Sequence, residues 1–287
     1  MQNFIYFYQH LPERLSPTVF SVGLFSLSWY SISYLAGFLT VYLLLKYRIK
    51  KQENFCNQKM ILNSEKLLAL LFYIFFGLII GARLGYVIFY NPVYYFHNLL
   101  EIISPFDSFG NLVGIYGMSY HGGLIGAILA GWIFVKKNRL DFWLLADFIS
   151  PAVPAGYFFG RIGNLMNGEL YGRTTEKIWG MNFPADNLKT LRHPTQLYEA
   201  LMEGLVIFLI LWPQRNNPKL KHKLFGLYLS FYAIARFIVE FFRQPDEQLG
   251  IFLNFFTLGQ ILSLFMLLAG MILIFVVPRQ EKCYNGK

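Results

Sequence analysis

The chain has 287 residues, of which 55% are hydrophobic and only 14% are charged. A soluble domain carries about 25% charged residues, so the composition argues against a water-soluble enzyme and predicts an all-α integral membrane protein. The formal net charge of +9 does not indicate a nucleic-acid partner, because Lys and Arg fall in short clusters between apolar segments rather than in one basic patch.

Seven segments are apolar over a length that can cross a bilayer, which takes about 20 residues. They predict a bundle of seven transmembrane helices in one membrane domain covering residues 1–287, with residues 1–18 as an N-terminal arm outside the membrane. We expect the spans at about 19–45, 66–90, 112–135, 142–166, 196–213, 224–243 and 252–277.

The basic residues between these segments predict the orientation of the bundle. One side of the membrane receives sixteen Lys and Arg, in the connections 46–66, 136–141 and 214–223 and in the tail 278–287, whereas the other side receives five. Because Lys and Arg are retained on the cytosolic side, we expect the N-terminus outside, the C-terminus in the cytosol and short outward loops.

Four arginines remain inside the predicted spans: Arg83, Arg161, Arg236 and Arg243. Each would cost about 2.5–3.5 kcal/mol at a helix centre, yet a guanidinium can bind phosphate or carboxylate through two parallel hydrogen bonds. Arg161, Arg236 and Arg243 fall in the outward half of outward-running helices, which predicts an anion site near the outer surface. Arg83 and Arg243 could instead reach the interface from span ends.

The first and third spans carry polar and aromatic candidates. Tyr30 lies with Trp29 near the outer end of the first span, where an interfacial aromatic belt would also explain the pair. His121 in the third span precedes two glycines that let a backbone or ligand come close. It could be an interhelical hydrogen-bonding group or a general base, because its usual pKa lies near neutrality.

The fourth span ends in the sequence GYFFGRIGNLMNGELYGR. Arg161 and Asn164 are three residues apart and so share a face of the helix. The Asn-Gly pair at 167–168 is a turn signal, which predicts that the helix ends there. The loop that follows carries Glu169, Gly172 and Arg173.

The fifth span opens with acidic residues that its helix cap does not explain. Thr195 can cap the helix, but Glu199 and Glu203 then enter the edge of the membrane. In the sixth span, an advance of 100° per residue places four polar side chains on one 80° arc, and two of them form an i,i+4 ion pair. These residues are Tyr232, Arg236, Glu240 and Arg243. The arc could line a polar cavity or hold the bundle together.

The sequence has no spacing of His, Cys, Asp or Glu that predicts a metal site, and no phosphate-binding or dinucleotide-binding fingerprint that predicts a cofactor. It also lacks a nucleophile elbow. If the protein is a transferase, the nucleophile therefore belongs to a substrate.

These segments together resemble the bacterial prolipoprotein diacylglyceryl transferases. The resemblance runs in order over nearly the whole chain, and the fourteen-residue block at 160–173 is its most specific part. The matching segments are WY (29–30), GARLGYVIFYN (81–91), HGGLIGA (121–127), GRIGNLMNGELYGR (160–173), RHPTQLYE (192–199), YAIARFIVEFFRQPD (232–246) and GQILS (259–263).

The resemblance implies an enzyme of the bacterial cytoplasmic membrane with its active site toward the outer face. Such an enzyme moves a diacylglyceryl group from phosphatidylglycerol to the lipobox cysteine thiol of a prolipoprotein signal peptide and releases glycerol phosphate. This is the first step of lipoprotein maturation. It implies a bilayer around the protein and no cofactor.

The resemblance also implies nine site residues, and the polar arc of the sixth span adds Arg243 as a tenth. We expect Arg161 and Arg236 to bind the phosphate, Glu240 to orient Arg236 and His121 to act as the base. These four make up the expected catalytic set. The expected substrate-binding residues are Tyr30, Asn164, Glu169, Gly172, Tyr232 and Arg243.

Two other classes of protein would use some of the same features. A transporter or channel for an anionic solute could use the arginines, but it would need a polar pathway that continues to the cytosolic side, and the polar groups crowd the outer half of the spans. A scaffold for other membrane proteins would leave the intramembrane charges without a purpose.

Overall fold

A computed structural model describes residues 2–22, 25–51, 62–89, 92–104, 117–244, 251–252 and 256–276. The described chain is mostly helical, as the composition predicts. Contacts divide it into two compact units, one formed by Met1–Lys59 with Trp143–Lys287 and the other by Met60–Phe142.

The elements follow one another in an order dominated by helices, with two very short hairpins. The helices are α1 (Gln2–Gln9), α2 (Leu11–Arg14), α3 (Trp29–Lys50), α4 (Ser64–Phe89), α5 (Pro92–His97), α6 (Tyr120–Lys137), α7 (Phe142–Ile149), α8 (Val153–Met166), α9 (Thr195–Glu199), α10 (Ile207–Gln214), α11 (Leu224–Val239) and α12 (Leu258–Phe275). The strands are β1 (Thr18–Val22), β2 (Phe25–Ser28), β3 (Ile251–Phe252) and β4 (Phe256–Thr257). Short 3-10 turns cover Leu99–Ile102 and Pro218–Leu220, and a π-helical segment, Ala200–Val206, joins α9 to α10.

Four helices are long and apolar enough to cross a bilayer: α3, α4, α12 and the continuous helix Thr195–Gln214. Helices α7 and α8 meet the same criterion only as a pair, bent by 53°, and would make a fifth span. Among the described residues, α6 and α11 correspond to predicted spans without meeting it, and α11 has only 16 residues. The protein is therefore a multi-pass membrane protein, and the part of the chain that the structure describes has four such helices, or five if the bent pair counts as one span.

Large apolar side chains cover the outward surfaces of these helices. Leu39 of α3 is 56% exposed, Phe76 of α4 is 55% exposed and Phe265 of α12 is 66% exposed. Exposed apolar surface on this scale is unfavourable in water but matches the hydrocarbon of a bilayer, so these faces identify the sides that contact lipid.

The first predicted span begins about ten residues too early. Thr18–Val22 and Phe25–Ser28 pair as the antiparallel strands β1 and β2, and α3 starts only at Trp29. The reason is local, because Thr18–Val22 is rich in β-formers and the Ser28 side chain accepts a hydrogen bond from the Ser31 backbone N–H at 3.1 Å. That N-cap fixes the start of the helix.

The fourth predicted span is broken rather than continuous. Residues 150–152 form a turn between α7 and α8, and Pro151 lies in it. Proline lacks the N–H that a helix interior needs, while Pro154 is tolerated in the first turn of α8. The apolar pattern therefore predicted one helix where two short helices meet at an angle.

Three other helix boundaries also differ from the predicted spans. Helix α6 begins at Tyr120, capped by Ser119, whereas residues 112–116 of that prediction lie outside the described residues. Helix α11 ends at Val239, four residues early. Helix α12 begins at Leu258, because Thr257 and Gln260 form a reciprocal capping box directly after β4.

In the first unit, glycines bring α3 close to α8 and α11 close to α12. A Cβ on Gly37 would lie 2.8 Å from the Gly156 carbonyl oxygen, and a Cβ on Gly163 would lie 2.8 Å from the Ser33 Cβ. Small residues allow such approach between membrane helices. The contact between α3 and α8 sets the distance between Tyr30 and the end of α8.

The loop between α8 and α9, residues 167–194, is held by its own hydrogen bonds. Met181 and Arg192 exchange two backbone hydrogen bonds of 2.9 Å. The Arg192 guanidinium binds both carboxylate oxygens of Asp186, at 2.7 and 2.8 Å. The N-terminal arm attaches to this loop, since Asn182 N–H donates to the Gln9 carbonyl at 2.8 Å. We call residues 167–194 the exit loop.

The second unit is centred on the contact between α4 and α6. A Cβ on Gly126 would lie 2.1 Å from the Gly77 carbonyl oxygen, and a Cβ on Gly122 would lie 2.3 Å from the Gly81 carbonyl oxygen. These distances are too short for any side chain. The two helices can therefore cross this closely only where both sequences supply glycine.

Arg83, one of the four intramembrane arginines, binds backbone carbonyls within the second unit. Its guanidinium donates to Glu101 at 2.6 Å, to Ile102 at 2.7 Å and to Gly117 at 3.2 Å. The Tyr95 ring lies 5.0 Å from the guanidinium carbon. These contacts give Arg83 a structural role in the connection that follows α4.

We predict that Gly126→Ala lowers the thermal stability of the purified protein in detergent. The methyl group would meet the Gly77 carbonyl, and overpacking of this kind costs about 1–3 kcal/mol. Gly131→Ala is the matched control on the same helix, because a Cβ there has nothing within 4 Å. Equal midpoints of thermal unfolding for the two variants would contradict the prediction.

We predict that Asp186→Asn speeds hydrogen exchange at Leu188 and Thr190, whose backbone N–H groups donate to the Asp186 carboxylate. The hydrogen bonds from Arg192 hold the pKa of Asp186 well below its usual range. The stabilisation is therefore complete above about pH 4 and lost as the pH falls from there toward the lowered pKa. Mass spectrometry of exchanged peptides measures both effects.

The control for this exchange experiment is Glu176→Gln, which removes the same charge from an exposed position in the same loop. We expect it to leave exchange at residues 188–190 unchanged. Exchange that rises equally in both variants would mean that the ion pair does not hold the loop.

Candidate functional site

One buried carboxylate binds three arginines from three parts of the chain. Glu199, with no exposed surface, accepts from Arg236 Nη1 at 2.7 Å and from Arg243 Nη1 at 3.0 Å through Oε1. Its other oxygen, Oε2, lies 2.8 Å from Arg161 Nε. The three outward-half arginines singled out by the sequence thus meet at Glu199.

Arg236 has two further acidic neighbours. Its Nη2 lies 3.0 Å from Glu240 Oε2, as the i,i+4 spacing predicts, and its Nη1 lies 3.8 Å from Glu203 Oε1. The Thr257 hydroxyl donates to the other oxygen of Glu240 at 3.1 Å. Glu240 therefore fixes Arg236 and is itself fixed by the residue that caps α12.

Tyr157 completes the network on the side of α8. Its hydroxyl accepts from Arg161 Nε at 2.7 Å and donates to Glu203. Because Glu203 faces Arg236 and Arg236 binds Glu199, the contacts form a closed ring. We call the ring formed by Tyr157, Arg161, Glu199, Glu203 and Arg236 the charge ring.

The π-helical segment places the two acidic members of the ring. It begins directly after Glu199 and contains Glu203. A Cβ on Gly204 would lie 2.9 Å from the Phe158 Cα, so this helix approaches the backbone of α8 closely. Both carboxylates can therefore reach α8 side chains, and π-helical turns are frequent at functional sites.

The end of α8 and the exit loop supply the amide and acidic groups beside the ring. Asn164 accepts from Arg161 Nη1 at 3.2 Å and donates to Glu169 at 2.8 Å. Gly172 packs so tightly that a Cβ would lie 2.3 Å from the Phe242 carbonyl oxygen. The exit loop thus lies directly over the turn that carries Arg243.

The two predicted tyrosines both lie beside α8, which carries Tyr157 and Arg161. Tyr232 packs edge-on against Tyr157, with 5.7 Å between the ring centroids. Tyr30 lies beside α8, since a Cβ on Gly163 would lie 3.5 Å from the Tyr30 Cα, and its hydroxyl donates to the Tyr34 hydroxyl at 3.0 Å. Nine of the ten predicted site residues therefore belong to the first unit and lie in or beside one network.

His121 is the tenth predicted residue and belongs to the second unit. Its backbone forms the first turn of α6, which Ser119 caps by accepting from the Gly122 N–H at 3.3 Å. The position of its side chain lies outside what the structure describes. Its role as a base stays a prediction.

Three members of the charge ring were not among the predicted site residues: Tyr157, Glu199 and Glu203. The sequence did single out Glu199 and Glu203, because a helix cap does not explain two carboxylates at the start of the fifth predicted span. The predicted cap itself is wrong, since the Thr195 hydroxyl donates to the Leu170 carbonyl at 2.8 Å instead of capping the helix. Tyr157 carried no such signal among nineteen tyrosines.

The chemistry open to this site is the binding of an anion by guanidinium groups that are already oriented. The Arg161 and Arg236 side chains each keep 17% of their surface exposed, so they can reach a ligand while Glu199 holds them. Over the described ranges, no group of three or more His, Cys, Asp or Glu could hold a metal ion.

Comparison with known proteins gives one family. A family model described as prolipoprotein diacylglyceryl transferase matches residues 17–276. Among relatives named phosphatidylglycerol–prolipoprotein diacylglyceryl transferase, that of Chlorobaculum tepidum is 43% identical over 287 residues and covers 98% of this chain and 96% of its own. That of Rickettsia bellii is 46% identical over 264 residues, covering 91% and 95% of the two chains. That of Desulfotalea psychrophila is 41% identical over 281 residues, covering 96% and 97%. With a match over most of its length, this chain belongs to the prolipoprotein diacylglyceryl transferase family.

Proposed function

We propose that this protein transfers the diacylglyceryl group of phosphatidylglycerol to the lipobox cysteine thiol of a prolipoprotein, the first step of lipoprotein maturation. The observation that carries this proposal is the meeting of Arg161, Arg236 and Arg243 at one buried carboxylate. In a member of this family, such a cluster is suited to bind the phosphate of the lipid substrate.

The reaction forms one bond and breaks one bond. The cysteine sulfur attacks the glycerol carbon that bears the phosphate ester, and the bond between that carbon and its oxygen breaks. The electron pair stays on the oxygen, so glycerol phosphate leaves and a thioether remains on the prolipoprotein. The thiol proton passes to a base.

The arginines would act on the departing phosphate. Negative charge grows on its oxygens as the carbon–oxygen bond breaks, and preoriented donors stabilise that charge most in a site that excludes water. Arg161 and Arg236 would bind the phosphate, with Glu240 orienting Arg236 through the 3.0 Å contact. The neighbours that would bind the rest of the substrates are Tyr30, Asn164, Glu169, Gly172, Tyr232 and Arg243.

His121 would be the base that takes the thiol proton. Its imidazole has a usual pKa near 6.5 and the thiol one near 8.5, so the transfer is feasible close to neutrality. The glycines that follow His121 allow the backbone of α4 to approach α6 closely at this point.

The proposed setting is the bacterial cytoplasmic membrane, crossed seven times, with the N-terminus outside and the site toward the outer face. The distribution of Lys and Arg supports this orientation. The seven crossings would be the four long helices, the bent pair of α7 and α8 as one span, and the shorter helices α6 and α11. A lipobox cysteine exposed at the outer surface would reach the site directly.

We predict that Arg161→Ala lowers transfer by at least about 10²–10³-fold, the usual effect of removing a donor that stabilises a developing anion. Arg161→Lys should also be strongly impaired, because an ammonium cannot contact Asn164, Glu199 and a phosphate as a planar fork does. The assay combines purified protein, phosphatidylglycerol and a lipobox peptide, and detects the diacylglyceryl adduct by mass spectrometry.

The control is Lys50→Ala, which removes a positive charge from an exposed position at the far end of α3. We expect wild-type transfer from it. Full activity in Arg161→Ala would overturn the phosphate assignment. Absence of any adduct with the wild-type protein would overturn the proposed function and leave the transporter for an anionic solute as the alternative.

We predict that His121→Gln, which keeps hydrogen-bonding capacity but cannot accept the thiol proton, removes transfer at neutral pH. Binding of phosphatidylglycerol by the same variant should be close to that of the wild type, because the lipid phosphate is assigned to other residues. Near-normal turnover in His121→Gln would exclude the histidine as the base.

A further inference from the structure

The arginines of the proposed phosphate site are matched by an equal number of buried acids. Arg161, Arg236 and Arg243 carry three formal positive charges, and the carboxylates in contact with them carry three negative ones. Those carboxylates are Glu199, Glu203 and Glu240, and their residues are 0%, 0% and 6% exposed. The cluster is therefore formally neutral before any ligand binds.

Glu199 has the largest influence on this balance, because it contacts all three guanidiniums at 2.7–3.0 Å. A ligand bound by the same guanidiniums would have to lie within a few ångströms of its carboxylate. At such distances, and with little water between the groups, repulsion between like charges is strong. A second negative charge on the ligand would therefore weaken binding.

The proposed reaction changes the charge of the phosphate. The lipid substrate is a phosphodiester with one negative charge. The glycerol phosphate that leaves is a phosphomonoester, whose second ionisation near pH 6 gives it nearly two negative charges at neutral pH. A formally neutral site distinguishes these two ligands, whereas three unpaired arginines would bind the product more tightly than the substrate.

We propose that Glu199 is a positioning residue that also sets the charge of the anion accepted by this site, so that a phosphodiester monoanion binds and a phosphomonoester dianion is released. This inference rests on the proposed function, because it takes the three arginines as the phosphate site. The inference also explains why a carboxylate is buried among the three arginines.

A purely structural role for Glu199 makes a different prediction. If the carboxylate only held α8, α9 and α11 together, its replacement would weaken all ligands alike. If it sets the accepted charge, its replacement by Gln would change the ratio of affinities for a dianion and a monoanion. That ratio is the measurement that separates the two roles.

The experiment uses the full-length protein in detergent and two probes: glycerol 1-phosphate as the dianion and glycerophosphoglycerol as the monoanion. Equilibrium dialysis gives both dissociation constants for the wild type, Glu199→Gln and Glu199→Asp. We expect Glu199→Gln to shift the ratio toward the dianion by about tenfold or more, since one buried negative charge is removed. Glu199→Asp keeps the charge and should stay within about threefold of the wild type on the same grounds.

The matched control is Glu176→Gln, which loses a charge from an exposed position in the exit loop and should leave the ratio unchanged. If Glu199→Gln does not elute as a folded protein in gel filtration, Glu240→Gln takes its place, because Glu240 is 3.0 Å from Arg236. A ratio equal to that of the wild type in the folded variant overturns the inference.

Failure of this inference can be distinguished from failure of the proposed function. Wild-type protein that transfers the diacylglyceryl group while Glu199→Gln keeps the wild-type ratio would remove only the role of Glu199. Wild-type protein that neither transfers nor binds either probe would remove the phosphate site itself.

Discussion

The arrangement of the first unit depends on keeping charged side chains paired where water is scarce. An isolated charge inside a membrane protein is costly, and removal of one partner from a buried pair leaves the other uncompensated. Glu199 meets this constraint for three arginines at once, so α8, α9 and the end of α11 must stay together. The same ion pairs hold the guanidiniums in fixed directions. The interactions that stabilise the fold therefore also orient the donors for a ligand.

Two local features of the structure position these charged side chains. The π-helical turn after Glu199 lets Glu203 also face the network, and Gly204 lets that helix approach α8 closely. The capping residue Thr257 reaches back from the start of α12 to bind Glu240. A chain of ion pairs and hydrogen bonds therefore runs from the start of α12 through α11 to α9 and α8, and no single helix determines the geometry of the arginines.

The sequence predicted the class of protein and the meeting of the arginines more accurately than the helix boundaries. Composition and residue spacing were sufficient to place Arg161 beside Asn164 and Arg236 beside Glu240, because these contacts lie within one helix. Topology placed the arginines together in the outer half of the spans, but the side chains that join them across helices were not predictable in the same way, and Glu199 was recognised only as an unexplained acid. The observed helix boundaries differ from the predicted ones where a helix cap or a proline ends a helix within an apolar segment, as at Ser28 and Pro151. Hydropathy depends on average apolar content and does not detect a single hydrogen bond.

If α11 is one of the spans, as proposed above, its short length has a consequence for the surrounding bilayer. Sixteen residues make a helix about 24 Å long, whereas the hydrocarbon core is about 30 Å thick. A span that is too short is accommodated by local thinning of the membrane, at a modest cost for each ångström of hydrophobic mismatch. Lipids next to α11 would then be drawn inward at the end that carries Arg236 and leads into the turn with Arg243. Their head groups would approach the arginines without leaving the leaflet.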